Sequence, residues 1–147
     1  MQILLLRLER TFIVWYNIYV EYSTITLLGE PKSTSHIYKM TCRGRFASMY
    51  MSKDGKTIKD SYIRQASSQW HSMPLDNDLD IDLKIYFGTR RKADIDNFNK
   101  LSFDALTGIV WEDDSQIKRM TIEKLYDKET PRIEIHIKSY ENTRANS

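Results

Sequence analysis

The stretch Leu79-Asp80-Ile81-Asp82-Leu83-Lys84-Ile85-Tyr86-Phe87 alternates in character from end to end. Leu79, Ile81, Leu83, Ile85 and Phe87 fall on one side of an extended chain, and Asp80, Asp82, Lys84 and Tyr86 on the other. A period of two predicts a β-strand with one face in a core and one face in water. Upstream, Ile58, Tyr62, Ala66 and Trp70 recur every four residues, which predicts a helix from about Lys53 to His71. Ser52 is its expected N-cap, Gly55 weakens its first turn, and Met73-Pro74 ends it. Further back, two strands, His36 to Cys42 and Phe46 to Met51, flank Arg43-Gly44-Arg45 and predict a hairpin with arginines at its tip. A short strand from Ile25 to Leu28 stops at Gly29 and Pro31.

Downstream of the alternating strand, Gly88 to Ala93 reads as a basic loop and Asp96 to Leu106 as a second helix, closed by Gly108. Two strands follow, Arg119 to Tyr126 and Arg132 to Lys138. The order β-ββ-α-β-α-β-β predicts an α/β fold, a single small domain in which two helices pack on a mixed sheet. A chain of 147 residues has room for one such domain. We place it at residues 24–138, with residues 1–23 as an N-terminal extension and 139–147 as a polar tail. The extension has Arg7, Glu9 and Arg10 in its middle, which fits neither a signal peptide nor a membrane span. The single cysteine, Cys42, excludes an internal disulfide and a thiolate metal cluster, and a cytoplasmic location is expected.

Net charge is only +2, but it is unevenly placed. From Lys32 to Arg64 eight basic residues stand against Asp54 and Asp60, whereas from Asp94 to Asp114 six acids stand against Lys100 alone. A basic surface beside an acidic spot suits an enzyme that holds phosphates with cations and a metal with carboxylates. On charge alone, an ordinary solvated surface whose opposite charges happen to segregate is the favoured reading.

Asp94 and Asp96 stand two apart, so on extended backbone their carboxylates point the same way. Asp96, Lys100 and Asp104, each four apart, would share one helix face. Asp113 and Asp114 lie on a turn that a loop could bring to the helix start. Carboxylates without histidine or thiolate suit a hard cation, Mg²⁺ or Mn²⁺. An isolated Asp-x-Asp is more often a solvated pair, a cap or a turn.

The combination is more specific. A basic run Arg90-Arg91-Lys92 leads into Asp94-Ile95-Asp96-Asn97, then Lys100, Asp104-Ala105-Leu106 and Trp111-Glu112-Asp113-Asp114-Ser115-Gln116. This string resembles the RusA family of crossover junction endodeoxyribonucleases, many of them carried by phages and prophages. The resemblance covers about residues 24 to 138, and Asn99 departs from it where a proline is frequent. It implies a Mg²⁺-dependent endonuclease, with Mn²⁺ as a substitute, that resolves Holliday junctions and other branched DNA as a homodimer with no membrane partner. It makes Asp94, Asp96 and Asp114 the metal-binding catalytic carboxylates and Lys100 the catalytic-site lysine. Asp113 and Asp104 would support them from behind; for Asp104 a ligand role and a salt bridge to Lys100 stay open. Arg43, Arg45, Lys53, Arg90, Arg91 and Lys92 are the expected DNA contacts. Tyr38 and Phe46, interleaved with Lys39, Arg43 and Arg45, read equally as DNA contacts or as packing. Trp70 and Trp111 read as core, and His36, His71 and His136 have no ligand spacing. The alternative is a non-catalytic branched-DNA-binding module of the same fold.

Overall fold

The computed structural model describes residues 23–142. Expectations for the first 22 residues and the last five lie outside the described residues. The alternating stretch is strand β4 (Leu79–Phe87), and its five apolar side chains are almost wholly buried. It lies inside a four-stranded sheet ordered β1-β6-β4-β5, formed with β1 (Ser23–Leu28), β5 (Ile117–Tyr126) and β6 (Arg132–Ser139). β4 runs antiparallel to β6 and parallel to β5, so the sheet is mixed as expected. Ile25 and Leu27 of β1, with Ile133, Ile135 and Ile137 of β6, extend the same apolar face. Each such side chain contributes roughly 1.5–3 kcal/mol by leaving water.

Two helices cover that face. α2 (Lys53–Gln69) follows a one-turn helix, α1 (Thr34–Ile37), and packs Tyr62 and Ala66 into the core. The Ser52 hydroxyl caps α2 by accepting from the Gly55 amide at 3.0 Å. Gly55, which looked like a weakness, has a packing reason: a Cβ there would lie 2.6 Å from Ile37 Cγ2. The side chains of Gln65 and Gln69 bond the backbone of Leu28 and Thr26, fastening α2 along the edge strand β1. α3 (Lys100–Leu106) buries Leu101, Phe103, Ala105 and Leu106, and ends at Gly108 with φ +85°. Trp111 is fully buried, edge-on to Phe103, with its indole N–H donated to Thr107 Oγ1 at 3.2 Å. Among the described residues no helix is long and apolar enough to cross a membrane.

Three local readings are corrected. The strand expected from His36 begins only at Tyr38: Ser33 to Ile37 coils into α1, and Ile37 is buried with its carbonyl taken by the Ser52 amide at 2.7 Å. The helix expected over Asp96 to Leu106 is broken into a 3-10 turn (Ile95–Phe98) and α3. At the break the Asn97 carbonyl is taken by the Thr34 hydroxyl at 2.7 Å, whereas the Asn99 carbonyl opens α3 by accepting the Phe103 amide at 3.0 Å. Asp80, expected on the wet face, is buried. Arg119 of β5 and Lys138 of β6, its register partners, converge on its carboxylate. Past β6, Tyr140 remains attached through its amide to Asp78 O at 2.9 Å.

The hairpin of β2 (Tyr38–Arg43) and β3 (Phe46–Met51) forms a separate two-stranded sheet. Gly44 takes φ +64° at its turn, a conformation that favours glycine. Only its base, Tyr38 and Met51, packs on the core.

Candidate functional site

Asp94 and Asp96 are carried on the turn between the basic loop and α3, and both are exposed. Asp94 precedes the 3-10 turn but makes no capping bond with its side chain. The loop before it is tied down on several sides. Glu30 accepts from the Gly88 amide at 2.8 Å and pairs with Arg91 at 3.4 Å. Arg91 also donates to Pro31 O at 2.9 Å and lies over the rings of Phe87 and Phe98. Lys124 donates to Arg91 O and Ala93 O at 3.0 and 3.2 Å. Arg91, one of the expected phosphate contacts on this loop, also holds the loop in place. Arg90 lies over the Tyr126 ring at 4.8 Å, and Lys92 is exposed.

A cleft of about 300 Å³ opens against Asp94, lined among others by Lys32, Ser33, Ser35, His36 and Lys92. Sequence reading assigned neither Lys32 nor His36 to the site. Their signal is weak, because only the α1 turn brings Ser33 to His36 across from the Lys92–Asp94 backbone. Chemically the cleft offers ammonium and hydroxyl groups within reach of a carboxylate turn, a setting for a phosphodiester.

Lys100 opens α3, exposed, with its ammonium 3.5 Å from Asp104 Oδ2. The Tyr38 hydroxyl donates to the same carboxylate oxygen at 2.7 Å, and Lys100 Nζ stands 5.7 Å from the Tyr38 ring centre. Burial, then the hydrogen bond and charge of Asp104, push the Tyr38 hydroxyl up to about 12. Asp104 is thus engaged by Lys100 and Tyr38.

Asp113 and Asp114 lie elsewhere. Asp113 caps a second 3-10 turn (Asp114–Gln116), with Ser115 Oγ donating to its carboxylate at 2.6 Å and its own amide donating to Gln116 Oε1. The Ser115 hydrogen bond heads the causes that hold its carboxyl below the usual carboxylate range. Gln116 donates in turn to Leu75 O and Asn77 O, so this turn sits at the beginning of β4. The strand register agrees: Ile117 lies beside Leu79, whereas Lys124, which holds Ala93, lies beside Ile85. At about 3.3 Å per residue, Ile117 and Lys124 are about 23 Å apart along β5. The turn delivers Asp114 to the start of β4, exposed, and not to the start of the helix. Among the described residues no three histidine, cysteine, aspartate or glutamate side chains form a group that could hold a metal ion.

Arg43 and Arg45 are exposed at the hairpin turn, and Lys53 is exposed at the first position of α2.

Comparison with known proteins accounts for the pattern. A crossover junction endodeoxyribonuclease of Enterobacteria phage 82 is 30% identical to this chain over 108 residues, which are 73% of the chain and 87% of the phage protein. The proteins named crossover junction endodeoxyribonuclease RusA from Escherichia coli (strain K12) and Shigella sonnei (strain Ss046) are each 29% identical over the same shares. The family described as Endodeoxyribonuclease RusA matches residues 29–138, from the turn after β1 almost to the end of β6, and the chain belongs to that family.

Proposed function

We propose that this protein is a metal-dependent endodeoxyribonuclease that resolves Holliday junctions and related branched DNA by paired phosphodiester hydrolysis, in recombination and repair. One observation carries the reading: a basic, hydroxyl-lined cleft abuts the turn bearing Asp94 and Asp96. A phosphate held in that cleft would lie beside the turn whose carboxylates we assign to the cation. The names of its relatives, crossover junction endodeoxyribonucleases, support the same substrate.

Two exposed carboxylates on one turn fit Mg²⁺ or Mn²⁺. Mg²⁺ keeps much of its water and is held by one or two carboxylates together with substrate phosphate, without a full protein cage. When bound, the cation supplies an activated water and neutralises charge growing on the phosphate oxygens. Lys32 and Lys92 position the phosphate, and Lys100, held by Asp104, adds positive charge near the reacting group.

Asp114 enters this site from a second copy. Within one chain it stands at the far end of the β4–β5 pair from the loop that carries Asp94. In a two-fold dimer that end of one copy can meet the Asp94–Asp96 turn of the other. Such a pair has two symmetric sites, as two matched cuts across a junction require.

Cleavage of a synthetic four-way junction tests the proposal. Cutting in Mg²⁺ or Mn²⁺, with binding but little cutting in Ca²⁺ and none in EDTA, is expected. Tight junction binding without cutting in any divalent ion would leave a non-catalytic DNA-binding module.

A further inference from the structure

The β2–β3 register sorts the hairpin into two unlike faces. Facing residues on an antiparallel pair share a side, and sides alternate along each strand. Tyr38/Met51, Met40/Met49 and Cys42/Ala47 therefore lie on one face, and Lys39/Tyr50, Thr41/Ser48 and Arg43/Phe46 on the other. The first face starts in the core and carries no charge. The second face carries two cations, two aliphatic hydroxyls and two aromatic rings, with Arg45 in the turn beside it. Neither strand nor the turn contains an acid. Phe46 is 82% exposed and Tyr50 51% exposed.

A phenylalanine that exposed beside two arginines gains nothing from the fold of its own chain. Its surroundings match the make-up of surfaces that bind unstacked nucleic acid, where rings stack on bases and flanking cations hold the backbone. From Phe46 to Tyr50 the strand rises about 13 Å, a span over which only splayed bases could be contacted by both rings. In a continuous duplex the base faces are hidden in the stack, and a hairpin reaches only phosphates and the edges of bases in a groove, never a ring face. At a branch point the stack lacks a continuous backbone on every side and can be opened, which makes a base face available.

We propose that Phe46 is a specificity-determining residue that stacks on a base at the branch point, with Tyr50 as a second platform and Arg43, Arg45 and Lys39 holding the adjoining phosphates. Tyr38 has no part in it, being on the opposite face and bonded to Asp104. The inference rests on the branched-DNA reading and adds to it the element that separates branched from linear DNA.

The test uses the full chain in Ca²⁺, titrated against a four-way junction and a linear duplex of the same sequences. 2-Aminopurine at the branch reports unstacking. Phe46→Ala should weaken junction binding by about ten- to a hundredfold and abolish the fluorescence change, leaving duplex affinity unchanged. Phe46→Trp should restore both, and Phe46→Leu, apolar but not aromatic, should not. Equal losses on junction and duplex, or full rescue by leucine, would overturn the proposal. So would a loss of dimer in sedimentation by Phe46→Ala, which would make the ring a protein contact. A wild-type protein with no preference for the junction would sink the branched-DNA reading itself. A wild-type preference retained in Phe46→Ala would sink the stacking role alone.

Discussion

The Tyr38 hydroxyl donates to the carboxylate of Asp104 at 2.7 Å, joining the base of the hairpin to the helix that carries Lys100. The same oxygen is 3.5 Å from the Lys100 ammonium. The arm expected to meet DNA and a lysine expected to act on it thus share one acceptor.

Asp104→Asn should slow cleavage by about 10–100-fold with junction affinity retained, because Lys100 loses its tether and a misplaced catalytic group costs about that much. Tyr38→Phe should show a milder version. Single-turnover cleavage with excess enzyme measures both. If Asp104→Asn were as dead as Asp94→Asn, Asp104 would be a metal ligand and not a positioning residue.

Tyr38 also predicts an alkaline response. Its folded pKa, about 12, lies above the ordinary value of 10, so its contribution to stability is complete below pH 10 and disappears as pH rises through 12. Tyr62, raised by burial to about 12, behaves likewise. Urea midpoints should fall between pH 10 and 12, and less steeply in Tyr38→Phe.

Asp80 governs the acid side. Burial alone would raise its pKa, but the hydrogen bond from Arg119 and the charges of Lys138 and Arg119 outweigh this and lower it. The stability it contributes is present above the usual carboxylate pKa and is lost as pH falls through the lowered value. Asp80→Asn should therefore flatten the acid limb of the stability profile below about pH 4. At neutral pH it should cost about 1–2 kcal/mol, since its half-exposed partners can turn to water. Arg119→Met should cost more, about 2–4 kcal/mol, because it strips a buried carboxylate of its closest partner. Equal effects at pH 7 would contradict this ranking.

Asp94→Asn and Asp114→Asn should each abolish cutting while leaving junction binding intact. Their mixture is more informative. If Asp114 reaches its site from a second copy, a mixed dimer has one site with both carboxylates intact, and nicking should return on mixing. A site built within one chain would stay dead in every combination.

Lys32→Ala with Lys92→Ala should weaken binding to any DNA sequence. The slope of log affinity against log salt should become shallower by about 0.9 for each phosphate that the variant no longer neutralises. Arg91→Ala should instead lower the melting temperature, since Arg91 fastens the loop to Pro31 and Glu30. An unchanged salt slope in the double variant would remove the cleft from the DNA footprint.

Legibility in the sequence followed the range of the forces involved. The β4 alternation, the β3 bounds and the Ser52 cap were readable because period and capping are local. The α1 turn and the broken helix after Asp94 were not, because Ile37 answers to the Ser52 amide and Asn97 to Thr34, partners distant in the chain. The proposed carboxylates come from their motif, but their relative placement depends on the parallel β4–β5 register, which spacing does not encode. The cleft residues Lys32 and His36 carry no motif.

The two-faced hairpin also constrains how this arm can change over time. Inserting or deleting one residue within either strand, upstream of the turn or beyond it, would exchange the sides from that point on. The methionines would then stand where the arginine and phenylalanine now do. Adding or removing two residues in each strand would keep the faces and only alter the reach of the arm by about 7 Å. Length variation here should therefore come in even steps, with parity more strictly kept than the identity of any one side chain.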